Sequence, residues 1–288
     1  MRSAALAVLA IVSAVTCVGA LSAPRTETRD VPRFRHVILI VFENHEVGDV
    51  LGNSDAPTFN RLASSYATIS RYTAVAHPSL PNYLALVSGS TQGVDSDCTD
   101  CVVEARSLAD TLAASRKAWK TYAEGLPYTG FTGASSGRYA KKHNPFVYFR
   151  RNLTPARRQR VVPLSRFLPD LRRRRLPAFS LVIPDLCHDM HDCDVATGDT
   201  WLGSFVRPLL RGSVLRNSVV FVVFDEGTTD VGGGGRVAAV ALGPLVRHHA
   251  QSAGPTNHYG LLRTIEEGLG LPLLGRSAGV RPIVGIWR

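Results

Sequence analysis

The stretch His36-Val-Ile-Leu-Ile-Val-Phe42, closed by Glu43-Asn44, decides the fold. Its apolar run is rich in β-branched residues and too short for a typical helix, so it reads as a strand buried on both faces. The pattern returns at Phe179-Ser-Leu-Val-Ile183, ending in Pro184-Asp185, and at Val219-Val-Phe-Val-Val-Phe224, ending in Asp225-Glu226. Apolar residues at three- and four-residue spacing predict helices over about 56–66, 81–87, 108–122, 201–210 and 259–269. Strands alternating with helices imply an α/β three-layer sandwich with a mainly parallel central sheet. Ligands of such sheets bind beyond the carboxyl ends of the strands, where Glu43, Asp185 and Asp225 fall. Gly232-Gly-Gly-Gly235 lacks the Lys-Ser/Thr ending of a phosphate loop and reads as a flexible turn between two strands.

The chain has 288 residues, 45% hydrophobic and 19% charged, which excludes a disordered chain and supplies a sizeable core. Residues 1–24 carry Met-Arg, an apolar run from Ala4 to Ala20 and small residues before Pro24, the pattern of a cleaved secretory signal. The expected product is secreted or cell-surface, with residues 25–288 as one domain. The Ala-rich make-up argues against a retained membrane anchor, and the surroundings of Cys17 only faintly resemble a lipoprotein processing site. Without Cys17 four cysteines remain, and an even count in an exported chain favours disulfides. Local pairing, Cys98 with Cys101 and Cys187 with Cys193, closes two short loops. Half a zinc site at Cys98–Cys101 is the alternative, although no second CxxC completes it. The formal charge of +10 is uneven: Arg150 to Arg175 holds ten arginines against Asp170 alone. Such a block is either a solvated surface or a site for anionic lipid headgroups or other polyanions.

Ser79 sits in His77-Pro-Ser-Leu-Pro-Asn-Tyr83, between two prolines and just ahead of a predicted helix. Free backbone N–H groups and the helix dipole there favour a phosphoryl group; a plain N-cap serine is the blander reading. No Gly-x-Ser-x-Gly elbow surrounds Ser79, so activation by a metal suits it better than a triad. Glu43, Asn44, Asp225 and Glu226 offer hard oxygen ligands at two strand ends, suited to Mg²⁺, Ca²⁺ or Zn²⁺. The segment Asp185-Leu-Cys-His-Asp-Met-His-Asp-Cys-Asp194 packs four aspartates and two histidines into ten residues, followed by Asp199. Their repulsion requires a cation, a cationic substrate or solvent exposure. His258 opens the last helix as a further ligand or general acid, and Lys141, Lys142 and His143 can hold phosphate charge.

Taken in order, Phe-Glu43-Asn44, His77-Pro-Ser-Leu-Pro-Asn82-Tyr, Asp189-Met-His191-Asp192 with Gly198-Asp-Thr-Trp-Leu202, Phe-Asp225-Glu226 and His258-Tyr resemble a known family. It is the phosphoesterase family of acid phosphatases and phospholipases C, within the alkaline phosphatase superfamily, and the likeness runs from about Phe34 to the C-terminus. The resemblance implies an alkaline-phosphatase-like fold and Ser79 as nucleophile. It further implies Glu43, Asn44, Asp225 and Glu226 as metal ligands, with Asp189, His191, Asp192 and His258 as the second half of the site. Among the last four, Asp189 and Asp192 are expected to bind metal and His191 or His258 to protonate the leaving group. His77, Asn82, Lys141 and His143 are expected to bind substrate, a phosphomonoester such as a phosphoinositide. Asp185, Cys187 and Cys193 depart from the expected pattern. A phosphodiesterase or phospholipase C on the same scaffold is the rival reaction. A non-catalytic module binding acidic lipid or nucleic acid through its arginines is the rival class; the acidic cluster stands against it, and no nucleic-acid partner is expected.

Overall fold

The computed structural model describes Met1 and residues 30–211 and 215–288. The leader expected over residues 1–24, Cys17 included, lies apart from Met1 outside the described residues. The main sheet has eight strands: β1 (His36–Phe42), β2 (Ala67–Thr68), β3 (Trp119–Ala123), β4 (Val161–Pro163), β5 (Phe179–Ile183), β6 (Ser218–Phe224), β7 (Ala239–Leu242) and β8 (Ala250–Gln251). Their spatial order is β8-β2-β7-β6-β1-β5-β3-β4. From β6 to β4 every neighbouring pair is parallel, and β7 alone runs antiparallel to both its neighbours.

The three strands expected from sequence form the centre. Val37 to Phe42 are each 0% exposed, which explains why β1 shows no polar alternation: helices cover both of its faces. Burying each such side chain contributes on the order of 1.5–3 kcal/mol. Phe42 stands opposite Phe224 in the β1–β6 register, so Glu43 and Asp225 emerge side by side. The Asp225 N–H donates to the Phe42 carbonyl at 2.9 Å.

Helices α1 (Pro57–Ser65), α2 (Ser79–Ser88), α3 (Leu108–Ala114), α4 (Val195–Arg211) and α5 (His258–Leu269) match the expected ones in place. One expectation fails. The helix predicted over 108–122 stops at Ala114, the chain turns through Arg116 at φ 55°, and Trp119–Ala123 becomes strand β3. Trp119 and Tyr122 suit a helical face locally, but pairing with β5 on one side and β4 on the other decides the matter. A fourth acidic strand end, Glu124, results. The four glycines from Gly232 form the expected turn between β6 and β7 and pack closely: a Cβ at Gly233 would lie 2.6 Å from the Val75 carbonyl oxygen, and one at Gly234 2.2 Å from that of Ala76. This loop braces the segment leading into His77 and Ser79. Among the described residues no helix is long and apolar enough to cross a membrane.

Candidate active site

Ser79 is the first residue of α2 and is 1% exposed. Its Oγ donates toward Glu43 Oε2 at 3.0 Å and Glu226 Oε1 at 3.1 Å. The helix start offers phosphate less backbone than expected, because the Leu80 N–H is taken by Asp97 Oδ1 at 2.9 Å and Pro81 has no N–H. Asn44 takes up φ 52°, a left-handed conformation that Asn tolerates better than most residues. Its N–H meets Asp225 Oδ1 at 3.3 Å. Glu46 then holds the loop after Glu226, accepting from the Thr228 and Thr229 N–H groups at 3.1 and 3.0 Å.

His143, 1% exposed, enters from the opposite side. Its Nε2 lies 3.2 Å from Glu43 Oε2, and its Nδ1 lies 3.2 Å from Asp189 Oδ2. The ring stacks on Tyr83, centroids 5.3 Å apart, and the Tyr83 hydroxyl donates to Glu43 Oε1. Burial opposes the charge on His143, but Glu43 and Asp189 outweigh it and raise the imidazole to about 9. For Glu43 burial is likewise outweighed, by His143 and Tyr83, and its carboxyl is held below the ordinary value. Asp189 goes the other way, to about 6: burial and the Glu43 charge exceed what His143 returns. Burial, then the charges of Glu43 and Glu226, push Asp225 well above the usual carboxylate range. His143 thus neutralises about one of four clustered carboxylates.

That imbalance suits a divalent cation. Asn44 Oδ1 and Asp225 Oδ2 are buried without a hydrogen-bond partner, a costly arrangement unless something else satisfies them. Atoms of Glu43, His143 and Asp189 all lie within 4.8 Å of one another. Carboxylate and amide oxygen donors in one pocket, with His143 spent on its ion pairs, fit Mg²⁺, Ca²⁺ or Zn²⁺.

The remaining predicted residues divide. His77 belongs to the centre: its Nδ1 binds Glu226 Oε2 and its Nε2 lies 3.1 Å from the Thr229 carbonyl. His191 sits at the rim, its ring 5.9 Å from that of His143. Asp192 points outward and holds His191 Nδ1 at 2.7 Å, so it is not brought to the cluster as a ligand. The rest of the acidic segment is relieved by backbone N–H groups: Asp185 Oδ1 accepts from Cys187 and His188 at 3.0 Å each, and Asp194 Oδ1 from Thr197 at 2.8 Å. Asp199 caps α1 through Thr58 and Phe59. Only Asp189 turns inward.

Three expected roles change. His258 is fully buried, its Nε2 2.5 Å from the Asp225 carbonyl and its Nδ1 2.8 Å from the Tyr72 hydroxyl. A carbonyl only accepts, so Nε2 carries the proton and Nδ1 accepts from Tyr72; neither nitrogen is free to ligate or to act as an acid. Asn82 spends its amide on its own loop, accepting from the Val75 and Ala76 N–H groups and donating to the Ala76 and Pro78 carbonyls. Lys141 turns away to the Thr99 carbonyl at 2.5 Å, whereas Lys142 faces the rim, 3.0 Å from Asp97 Oδ2 and 3.3 Å from His191 Nε2. Tyr83 and Glu124 had no role in the sequence reading. Tyr83 stood inside the quoted motif, and Glu124 was hidden by the helix expected over it. Both cysteine pairs are disulfides, Cys98–Cys101 and Cys187–Cys193, so the zinc alternative at Cys98 lapses.

Residues 49–272 match the Phosphoesterase family. The chain is 34% identical over 289 residues to a phosphatidylinositol-3-phosphatase of Mycobacterium tuberculosis, covering 98% of this chain and 94% of that protein. It is 30% identical to a phosphate-repressible acid phosphatase of Penicillium chrysogenum over 75% of this chain, but spans only 55% of that protein. Among solved structures, an alkaline phosphatase superfamily protein from Vibrio parahaemolyticus is similar with a TM-score of 0.60 at 13% identity, covering 87% of this chain and 71% of that one. Human ectonucleotide pyrophosphatase/phosphodiesterase 5 gives 0.56 at 11% identity, covering 83% and 96%. These likenesses show an alkaline-phosphatase-like α/β fold.

Proposed function

The chain belongs to the phosphoesterase family, and we propose that it is an exported phosphomonoesterase in which Ser79 is the nucleophile and Glu43, Asn44, Asp225 and Glu226 hold a divalent cation. The observation that carries the reading is the Ser79 hydroxyl, buried and held between two carboxylates, beside unsatisfied oxygen donors. The cation, when bound, lowers the pKa of the serine hydroxyl and draws charge from the phosphoryl oxygens. Ser79 Oγ passes its proton to Glu226 Oε1, 3.1 Å away, and bonds to phosphorus as the bond to the leaving alcohol breaks. His191 gives that alcohol its proton. Water gives a proton back to His191 as it attacks the phosphoserine, Ser79 Oγ recovers its proton from Glu226, and inorganic phosphate is released. His143 keeps Glu43 ionised and in place, and His77 sets positive charge beside Glu226 and the phosphoryl group.

The names of the relatives support phosphomonoesters as the substrate class, with phosphoinositides among them. Export through the leader at 1–24, with a single catalytic domain over 25–288, completes the proposal. The test is Ser79→Ala against the parent enzyme on para-nitrophenyl phosphate, phosphatidylinositol 3-phosphate and bis-para-nitrophenyl phosphate, with EDTA and then with Mg²⁺, Ca²⁺ or Zn²⁺. Monoester turnover should fall at least about 1,000-fold in the variant with its circular dichroism unchanged. Near-parental turnover would sink the serine, EDTA-resistant turnover the metal, and faster diester than monoester cleavage the substrate class.

A further inference from the structure

The basic residues of this chain gather by topology rather than by sequence. Across the five parallel strands, in the spatial order β6, β1, β5, β3, β4, each strand is preceded within four residues by a cation: Arg216, Arg35, Arg175, Lys117 and Arg160. Neighbouring parallel strands lie roughly 4.8 Å apart, so these leads form a row about 20 Å long on the amino-terminal edge of the sheet. Contacts confirm the alignment: the Arg35 N–H donates to the Asn217 carbonyl, His36 Nδ1 meets the Pro177 carbonyl at 2.9 Å, and the Thr121 N–H donates to the Arg160 carbonyl. Arg116 and Arg172 to Arg174, all exposed, thicken the row. Arg35, Arg116, Arg160, Arg174, Arg175 and Arg216 make no ion pair among the described residues, and Asp170 nearby is committed to Lys120 and Tyr122. The arginine block seen in the sequence therefore divides: Arg150 pairs with Glu104 and Arg157 with Asp110, while the edge recruits cations from far outside the block.

We propose that this edge docks the protein on an anionic phospholipid bilayer with its active site facing away from that bilayer. A row of unpaired guanidinium groups suits a charged lipid surface, and Tyr128, 61% exposed and two residues from the Gly130 N–H that meets the Val161 carbonyl, is one ring rather than the run of rings on which successive nucleic-acid bases stack. The orientation rests on the reading of the Ser79 site above; the binding does not. Ser79, Glu43 and Asp225 lie at the carboxyl ends of the same strands, and β1, at seven residues, separates the two edges by roughly 23 Å. A docked molecule would thus reach soluble phosphoesters and not lipid headgroups in the membrane that holds it.

The test is co-sedimentation with vesicles of 30% phosphatidylglycerol in phosphatidylcholine, and of phosphatidylcholine alone, at low salt. The chain should pellet only with the anionic vesicles. Replacing Arg172, Arg173 and Arg175 by Gln should weaken partitioning roughly 100-fold, at about 1 kcal/mol per arginine and about 1.4 kcal/mol per tenfold. The separate set Arg35→Gln, Arg160→Gln and Arg216→Gln should act alike, with thermal melting reporting that each variant folds. Equal pelleting with both vesicles, undiminished binding by both variants, or tighter binding to duplex DNA than to the anionic vesicles would overturn the assignment. Hydrogen exchange on bound protein reads orientation without relying on activity: slowing at 172–176 and 216–217 is expected, and slowing at 77–80 and 226–229 instead would overturn the outward-facing site.

Discussion

His143→Gln should cost the cation-free protein about 3 kcal/mol of stability at pH 7. Raising an imidazole from 6.5 to about 9 corresponds to that figure at about 1.4 kcal/mol per unit. It also lies within the roughly 3–5 kcal/mol lost when one partner of a buried ion pair is removed. Because the folded pKa lies above the unfolded one, the contribution is complete below about 6.5 and disappears as pH rises through about 9. Asp189, raised to about 6, has the same sense over a lower window, favouring the folded state below about 3.8 and losing that effect as pH rises through about 6. Measurement above pH 7 therefore isolates His143. The assay is urea unfolding followed by tryptophan fluorescence, parent against variant, in EDTA at pH 7, 8, 9 and 10. The gap should close steadily toward pH 10. A gap below about 1 kcal/mol at pH 7, or one that stays constant to pH 10, would refute the idea that this imidazolium holds Glu43 and Asp189 together.

Asp225→Asn should leave the chelated protein as stable as the parent at neutral pH, since burial already favours a neutral Asp225. It should nearly abolish the melting-temperature rise given by divalent cations, worth about 2.7 kcal/mol at a hundredfold excess over Kd; an unchanged rise removes Asp225 from the ligand set. His258→Phe should cost about 1–3 kcal/mol by leaving the Tyr72 hydroxyl and the Asp225 carbonyl unpaired. The pH profile of turnover should not move, because burial holds His258 near 4 and so neutral; a displaced acidic limb would restore it as a proton donor. Gly234→Ala sets a methyl 2.2 Å from the Ala76 carbonyl oxygen and should lower kcat at least about tenfold, for about 1–3 kcal/mol of melting stability. Unchanged kcat would show that this loop does not position His77 and Ser79.

Glu43 and Asp225 could be located from sequence because a strand buried on both faces has one recognisable signature, an apolar run, and a parallel sheet places all such runs with their carboxyl ends together. The helix start at Ser79 was legible because two prolines frame it. Glu124 was not, because Trp119 to Ala123 satisfies helical and extended spacing equally, and only its neighbours in the sheet select the strand. The dense acidic segment misled for a related reason. Charge density says nothing of side-chain direction, and Asp185 and Asp194 spend their carboxylates on backbone N–H groups that exist only in the folded turn. His258 was misjudged because the sequence shows neither Tyr72 nor the Asp225 carbonyl beside it. Lys141 and Lys142 were interchangeable in sequence, and one short helical turn sends the first inward to Thr99 and the second to the rim.

The two ends of the sheet differ in charge, and this bears on how a phosphoester finds the site. A net charge of +10 would ordinarily be credited with steering anions toward catalysis. Here the unpaired cations line the far edge, more than two Debye lengths away at physiological ionic strength, where about 8 Å suffices for screening. The catalytic edge, with Asp225 neutral, sets Glu43, Asp189 and Glu226 against His143, His77 and Lys142, so without its cation it offers a dianionic phosphate no net attraction. Attraction must therefore be local and cation-dependent: KM should rise on partial chelation far more than on raising salt, whereas binding through the arginine edge should collapse with salt alone. The same chain thus presents two sites for anions that answer to different variables, because topology separated charges that the sequence leaves intermixed.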